Sequence, residues 1–417
     1  MIKSVINVGS QAIVKLIFSI VSLKIVAYYA GPSGMAVLGQ LQAFLQIASA
    51  GASSVTSTGV VKLISEGRAQ KDKVIACSFL LLLIYSVILF LIFFVFVDAI
   101  SDFFFEGQWR YALLVLPVTA FCLGINSLFA SYYNGVQNYR LYFLYSIFLS
   151  FLTSVITILL AVYFYFDGAI YSVVLAPLIA GLILLLFFRG WAGRGWRIAI
   201  EDFKLLSATL LQFSLMALVS ALVVYGGQIY LRYFISDNVS VSSAGIWYSA
   251  TRLSDIYVGI ASVLFSTILL PRYSALNGFG LKSEVWKVFK IAIVFSLIMV
   301  VCVKVLSSYV VSAIYGHGFD GAAQILDLYV VGDALKVMTW VFLYVFIAKQ
   351  RILFYLVYEV LTALVYVLCS IMALQYFNFS HMALGYVIQA AFSLGALLCW
   401  FLKFSRTLGP RGEAAHV

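Results

Sequence analysis

The chain has 417 residues, of which 64% are hydrophobic and only 10% charged. A water-soluble domain carries about 25% charged residues, so a soluble globular fold is excluded. The net charge of +10 does not signal nucleic acid, because the basic residues sort by the side of the membrane on which their segments would lie.

Twelve apolar runs reach the length of about 20 residues that a helix needs to cross hydrocarbon. A β-barrel would need alternating strands of roughly 10 residues, and no such alternation occurs. The first run covers 7–30. It is too long for a secretory leader, holds two lysines and lacks a small-residue cleavage site, so it reads as a span. Its lysines, Lys15 and Lys24, are nine residues apart, about half a turn out of phase on a straight helix. At least one is expected to face a watery lumen. Lys24 is favoured, because Gly31-Pro32 and the small residues that follow leave room beside it; a lysine near a helix end can instead snorkel to the interface.

The second run, 36–64, carries a polar stripe: Gln42, Gln46, Ser49, Ser53 and Thr56. This spacing holds all of them on one helix face. The runs at 74–98, 110–133, 141–165 and 169–188 have no charged residue in their interiors. A basic connector from Arg189 to Lys204 follows, with Trp191 and Trp196 among its arginines. It suits an amphipathic segment at the inner lipid surface, or equally a solvated linker. It divides the chain into two expected six-helix bundles, 1–192 and 193–417.

After the run at 205–231, the run at 244–270 repeats the stripe with Tyr248, Arg252, Asp255, Gly259 and Ser262, each offset by 206 residues from its counterpart. Two halves with six spans each would be parallel repeats related by an axis along the membrane normal. Lys304 lies in the run at 286–312. In 323–347, Asp333, Lys336, Trp340 and Tyr344 share a face, and in 353–376 Tyr355, Glu359, Thr362 and Tyr366 do the same. A last run covers 382–402. The expected fold is therefore an all-α polytopic membrane protein, with twelve transmembrane helices in two bundles around a central cationic cavity.

A charge at the bilayer centre costs about 2.5–3.5 kcal/mol on insertion scales, so such residues face a bundle interior or a wet cavity. Here the deep cations exceed the deep acids, which suggests anionic cargo. The candidate lumen and substrate residues are Lys15, Lys24, Gln42, Gln46, Arg252, Asp255, Lys304, Asp333, Lys336 and Trp340. Arg252 with Asp255, and Asp333 with Lys336, are three residues apart and can pair on one face. Each pair could equally serve helix packing. Glu359, Asp255 and Asp333 are candidates for proton coupling.

With both termini inside, eighteen basic residues fall in inner segments and two, Arg110 and Arg232, in outer ones. The positive-inside rule then gives this orientation. No G-x-x-x-x-G-K-[ST] loop is present, so ATP hydrolysis by that route is excluded. The five cysteines form no Cys-x-x-Cys pair, and no catalytic, metal or cofactor-binding cluster is apparent. The chain is not expected to be an enzyme.

The stretches Val14–Lys24 with Gly31–Gly34, Leu253–Leu276 and Val330–Lys349, with Tyr358-Glu359 beyond, are similar to Wzx-type flippases of lipid-linked oligosaccharides, including those for enterobacterial common antigen lipid III. These belong to the multidrug/oligosaccharidyl-lipid/polysaccharide exporter superfamily, and the resemblance extends over essentially the whole chain. It implies undecaprenyl-pyrophosphate-linked glycan as cargo for O-antigen or a related surface polysaccharide, moved across the bacterial inner membrane, with the lipid tail remaining in the membrane. It also implies the polysaccharide polymerase and chain-length regulator as partners, and no nucleic acid. Lys15, Lys24, Asp255, Asp333, Lys336 and Glu359 fall on family-like charged positions, whereas Arg252 departs from the pattern. The rival reading is a multidrug antiporter of the same superfamily, whose cationic cargo would favour an acidic cavity.

Overall fold

The computed structural model describes residues 2–65, 70–187, 200–276, 278–348 and 352–407. Among these the chain is helical almost throughout, with no strand. The helices are α1 (Ile2–Thr56), α2 (Thr58–Ser65), α3 (Lys71–Phe105), α4 (Arg110–Gly135), α5 (Tyr139–Phe187), α6 (Ile200–Asn238), α7 (Val241–Ala275), α8 (Gly278–Tyr315), α9 (Asp320–Ala348), α10 (Ile352–Tyr376) and α11 (Ala383–Thr407). Nine candidate spans among the described residues are long and apolar enough to cross a membrane.

Two helices are too long for one crossing. α1 has 55 residues and α5 has 49, while a hydrocarbon core about 30 Å thick takes roughly 20. Both are broken where the sequence separates two apolar runs. α1 leaves helical geometry at Gly31 (φ 62°, ψ −176°), and α5 at Tyr165 (φ 52°, ψ −126°). Glycine tolerates the positive φ, and Pro32 pre-sets the backbone for the first turn of the next helix.

The helices form two compact units. The first runs from Ile13 to Tyr233, and the second begins at Phe234 and takes in the start of α1 up to Ala12. The expected bundle boundary at 192–193, with most of the basic connector, falls in 188–199, outside the described residues. The helix after it, α6, packs into the first unit. Its Leu206 and Leu210 join Val55, Leu63, Val74 and Leu128 in one core, and its Ser214 hydroxyl shares a 2.8 Å hydrogen bond with Ser54. In the second unit, α7, α8, α9 and α11 close around Tyr273, Leu281, Val285, Phe342 and Phe401.

Three ion pairs mark helix ends: Lys73–Asp202 at 2.7 Å, Arg110–Asp98 at 3.0 Å and Arg272–Glu284 at 2.8 Å. Each joins residues that the positive-inside reading puts on the same side. The first two are exposed, and pairs of that kind contribute about 0–1 kcal/mol, whereas Glu284 is only 15% exposed. All five cysteines are free. Arg232, expected in an outer segment, is a helix residue instead. α6 continues to Asn238, and Arg232 is only 4% exposed.

Candidate substrate site

The polar stripes lie on the less buried sides of their helices. In α1, Leu41, Ala43, Leu45, Ala48 and Ala52 are buried, while Gln42, Gln46, Ser49 and Ser53 are partly exposed. Thr56, the last of the stripe, is buried and donates to the carbonyls of Ala52 and Ser53. In α7, Ala244, Trp247, Ala250, Leu253, Val258 and Ala261 are buried, while Tyr248, Arg252, Gly259 and Ser262 are half-buried and Asp255 is exposed. One period thus drives an apolar face into each bundle and leaves the polar face on its margin.

In the first unit Lys15, rather than Lys24, joins the stripe. Lys15, Ser49 and Ser53 line a cavity of about 230 Å³ together with residues of α4 and α5, including Asn126, Ser127, Tyr145 and Ser146. Lys24 is exposed on α1, as expected for two lysines about half a turn out of phase. Tyr145 donates its hydroxyl to Asn126 Oδ1, and Asn126 Nδ2 donates to the Cys122 carbonyl at 2.7 Å. These bonds set the shape of one cavity wall.

The first unit also holds a polar contact that no local pattern announces. Arg232 Nε donates to Gln40 Oε1 at 3.1 Å, and Gln40 Nε2 donates to the Ile229 carbonyl at 3.3 Å. Both side chains are buried. Gln40 therefore grips another helix, while Gln42 and Gln46 stay on the partly exposed face.

In the second unit the acid and the cation of α9 have different surroundings. Asp333 is 0% exposed. Its carboxylate accepts hydroxyls from Ser254 at 2.7 Å, Tyr257 at 2.5 Å and Tyr386 at 2.8 Å. The Lys336 ammonium lies over two rings, 5.8 Å from Trp340 and 5.7 Å from Tyr386, within cation–π range. Tyr386 therefore serves both groups. Its ring stacks on Tyr329 at 4.0 Å and meets the edge of Tyr366 at 5.8 Å. Gly332 makes room for it, since a Cβ there would collide with the Tyr386 ring. Sequence spacing could have found Ser254 and Tyr257, which are three apart on α7. It offers no signal for Tyr386, 53 residues from Asp333.

Glu359 is half-buried on α10. Of its expected donors, Tyr355 bonds the carboxylate. Thr362 donates instead to the Glu359 main-chain carbonyl at 3.0 Å, and Tyr366 turns to the Tyr386 ring. Lys304 sits on an exposed face of α8 near Val301 and Val305. Among the described residues no group of three His, Cys, Asp or Glu side chains could hold a metal ion.

Membrane-length helices, split at Gly31 and Tyr165 and carrying cations and hydroxyls within the bundles, are the build of a multi-pass membrane protein. The comparisons with known proteins narrow this class. The family described as "Polysaccharide biosynthesis protein" matches residues 37–324, well over half of the chain, and the protein belongs to that family. It is 24% identical over 365 residues to the lipid III flippase of Escherichia coli K12, covering 84% of this chain and 86% of that one. Its fold is that of a multidrug resistance MATE family transporter of the MOP superfamily in an inward-facing conformation (TM-score 0.74, 17% identity, covering 97% of this chain and 100% of the other). The lipid II flippase MurJ in an inward closed conformation is equally similar (TM-score 0.74, 16% identity, covering 98% and 91%). These relatives are flippases and transporters, not enzymes.

Proposed function

We propose that the chain is a flippase that moves undecaprenyl-pyrophosphate-linked oligosaccharide repeat units from the inner to the outer leaflet of the bacterial inner membrane. The cargo would serve O-antigen or a related surface polysaccharide, handed on to a polymerase and chain-length regulator. The observation that carries this reading is that cations are offered while the deepest acid is not. Lys15 lines a hydroxyl-rich cavity and Lys336 lies over aromatic rings, whereas Asp333 is enclosed by three hydroxyls. That balance favours an anionic headgroup over the organic cations of a multidrug antiporter, the reading that fold similarity alone would equally allow. The similarity to a lipid III flippase along most of the chain adds support.

In this mechanism the phosphates enter a wet, positively charged lumen between twelve spans, while the polyprenyl tail stays in lipid. Lys24, Arg252 and Lys304 add to the field, and Gln42, Gln46, Asp255 and Trp340 contact the headgroup. Alternating closure of the two mouths moves it across. A membrane potential negative inside favours outward movement of an anion by about 2.3 kcal/mol per charge per 100 mV. Coupling to protons through Glu359, Asp255 or Asp333 is the competing energy source.

The test is flipping in vesicles with reconstituted protein and a labelled polyprenyl-pyrophosphate sugar. Outward movement is expected to accelerate with an imposed potential and to slow at least tenfold in Lys336→Gln. Failure of the wild type to flip this lipid under either a potential or a pH gradient would overturn the reading. Acceleration by a pH gradient alone, lost in Glu359→Gln, would assign coupling to protons.

The orientation has its own test. With both termini cytoplasmic, a periplasm-active reporter fused after Phe404 should be silent and one fused after Asp237 active. The reverse pattern would invert the topology.

A further inference from the structure

The cavity of the first unit is too small for a whole repeat unit, and a lipid tail there would bury the Lys15 ammonium and the serine hydroxyls without partners. At about 230 Å³ it falls below the roughly 300–1,000 Å³ of pockets that enclose drug-sized ligands, so it can hold one ring. Its lining supplies one charge, the Lys15 ammonium. Asn126 and Tyr145 are bonded to each other within the wall. The hydroxyls of Ser53, Ser127 and Ser146 have no hydrogen-bond partner among the described residues. Leu123 and Leu149 complete the lining with an apolar surface.

This combination discriminates between ligands. Serine hydroxyls both donate and accept, so they match sugar hydroxyls, which also do both. A pyrophosphate only accepts and carries more than one negative charge, which a single ammonium would leave under-neutralised. A pyranose also has a C–H face, for which Leu123 and Leu149 are suitable partners. We propose that this cavity is a subsite for one acidic sugar, a pyranose ring bearing a carboxylate, within the transported glycan. The carboxylate pairs with Lys15 and the ring hydroxyls bond Ser53, Ser127 and Ser146. The inference rests on the flippase reading and specifies part of its cargo.

The test uses the full-length chain in detergent micelles, with glucuronate, glucose and inorganic phosphate as probes in saturation-transfer NMR. Glucuronate should bind at least tenfold more tightly than glucose, and Lys15→Gln should remove that difference. Ser127→Leu, which fills the cavity while keeping Lys15, should abolish binding of both sugars and guards against misfolding of the lysine variant. Equal glucuronate binding by wild type and Lys15→Gln would overturn the proposal. So would inorganic phosphate displacing glucuronate at concentrations where glucose does not. In vesicles, the wild type should flip a lipid bearing an acidic sugar faster than its neutral counterpart. Equal rates would sink this inference and leave the flippase intact, whereas flipping of neither would sink the flippase reading itself.

Discussion

Asp333→Ala should strongly destabilise the second bundle, while Asp333→Asn should leave it folded. The carboxylate is 0% exposed and gathers hydroxyls from α7 and α11, namely Ser254, Tyr257 and Tyr386. Alanine removes the shared acceptor and takes one hydrogen bond from each of the three hydroxyls in a place closed to water. Each buried polar group so abandoned costs about 1–3 kcal/mol, and the side-chain void adds to this. The total, on the order of 5 kcal/mol or more, is comparable to the whole net stability of a typical domain, about 5–15 kcal/mol. Asparagine keeps one acceptor oxygen and offers an amide that the hydroxyls can accept from. Tyr386→Phe keeps the ring over Lys336 and the stack on Tyr329, and should cost only about 1 kcal/mol. Thermal unfolding in detergent, followed by loss of the monodisperse species, would show this order. Melting of Asp333→Ala within a few degrees of wild type would show that the hydroxyls find other partners.

What the sequence displays of this arrangement is what repeats at helical spacing. The runs separated at Gly31-Pro32 read as distinct spans because a glycine followed by a proline interrupts a helix wherever it falls, and those on either side of Tyr165 because Asp167-Gly168 parts two apolar runs. The two stripes were legible for the same reason, since five polar residues on a 3.6-residue period need no knowledge of their neighbours. The half-turn offset of Lys15 and Lys24 was likewise arithmetic. It shows that the two lysines diverge but not which of them meets Ser49 and Ser53, because that depends on where α4 and α5 pack.

Long-range partners leave no such trace. Tyr386 looks like any tyrosine in an apolar run until α11 lies against α9. Asp333 and Lys336 read as an i, i+3 pair, yet the acid takes hydroxyls from two other helices and the cation takes rings. Hydropathy places Arg232 in an outer segment because it closes a span at its first charge. α6 continues to Asn238, and Gln40, distant in sequence, accepts from the guanidinium Nε inside the bundle.

That contact carries the second large expectation. Gln40→Leu should destabilise the first unit by about 1–3 kcal/mol, because it takes from Arg232, a cation only 4% exposed, the oxygen that Nε donates to. Removing one partner of a buried charged group costs more than the bond itself is worth, because the remaining charge is left desolvated. Replacing both is milder, since apolar side chains of similar volume often substitute for buried polar pairs at little cost. The double variant Gln40→Leu/Arg232→Met should therefore be more stable than Gln40→Leu alone, with a coupling energy between the sites of about 0.5–3 kcal/mol. Chemical or thermal unfolding of the four proteins of the cycle measures it. Strict additivity would mean that Arg232 is held by its other surroundings and that Gln40 only fills space. A double variant that folds well but flips slowly would separate the two demands on Arg232. The hydrogen bond to Gln40 would then serve to place a positive charge within α6 for transport, rather than to hold the bundle together.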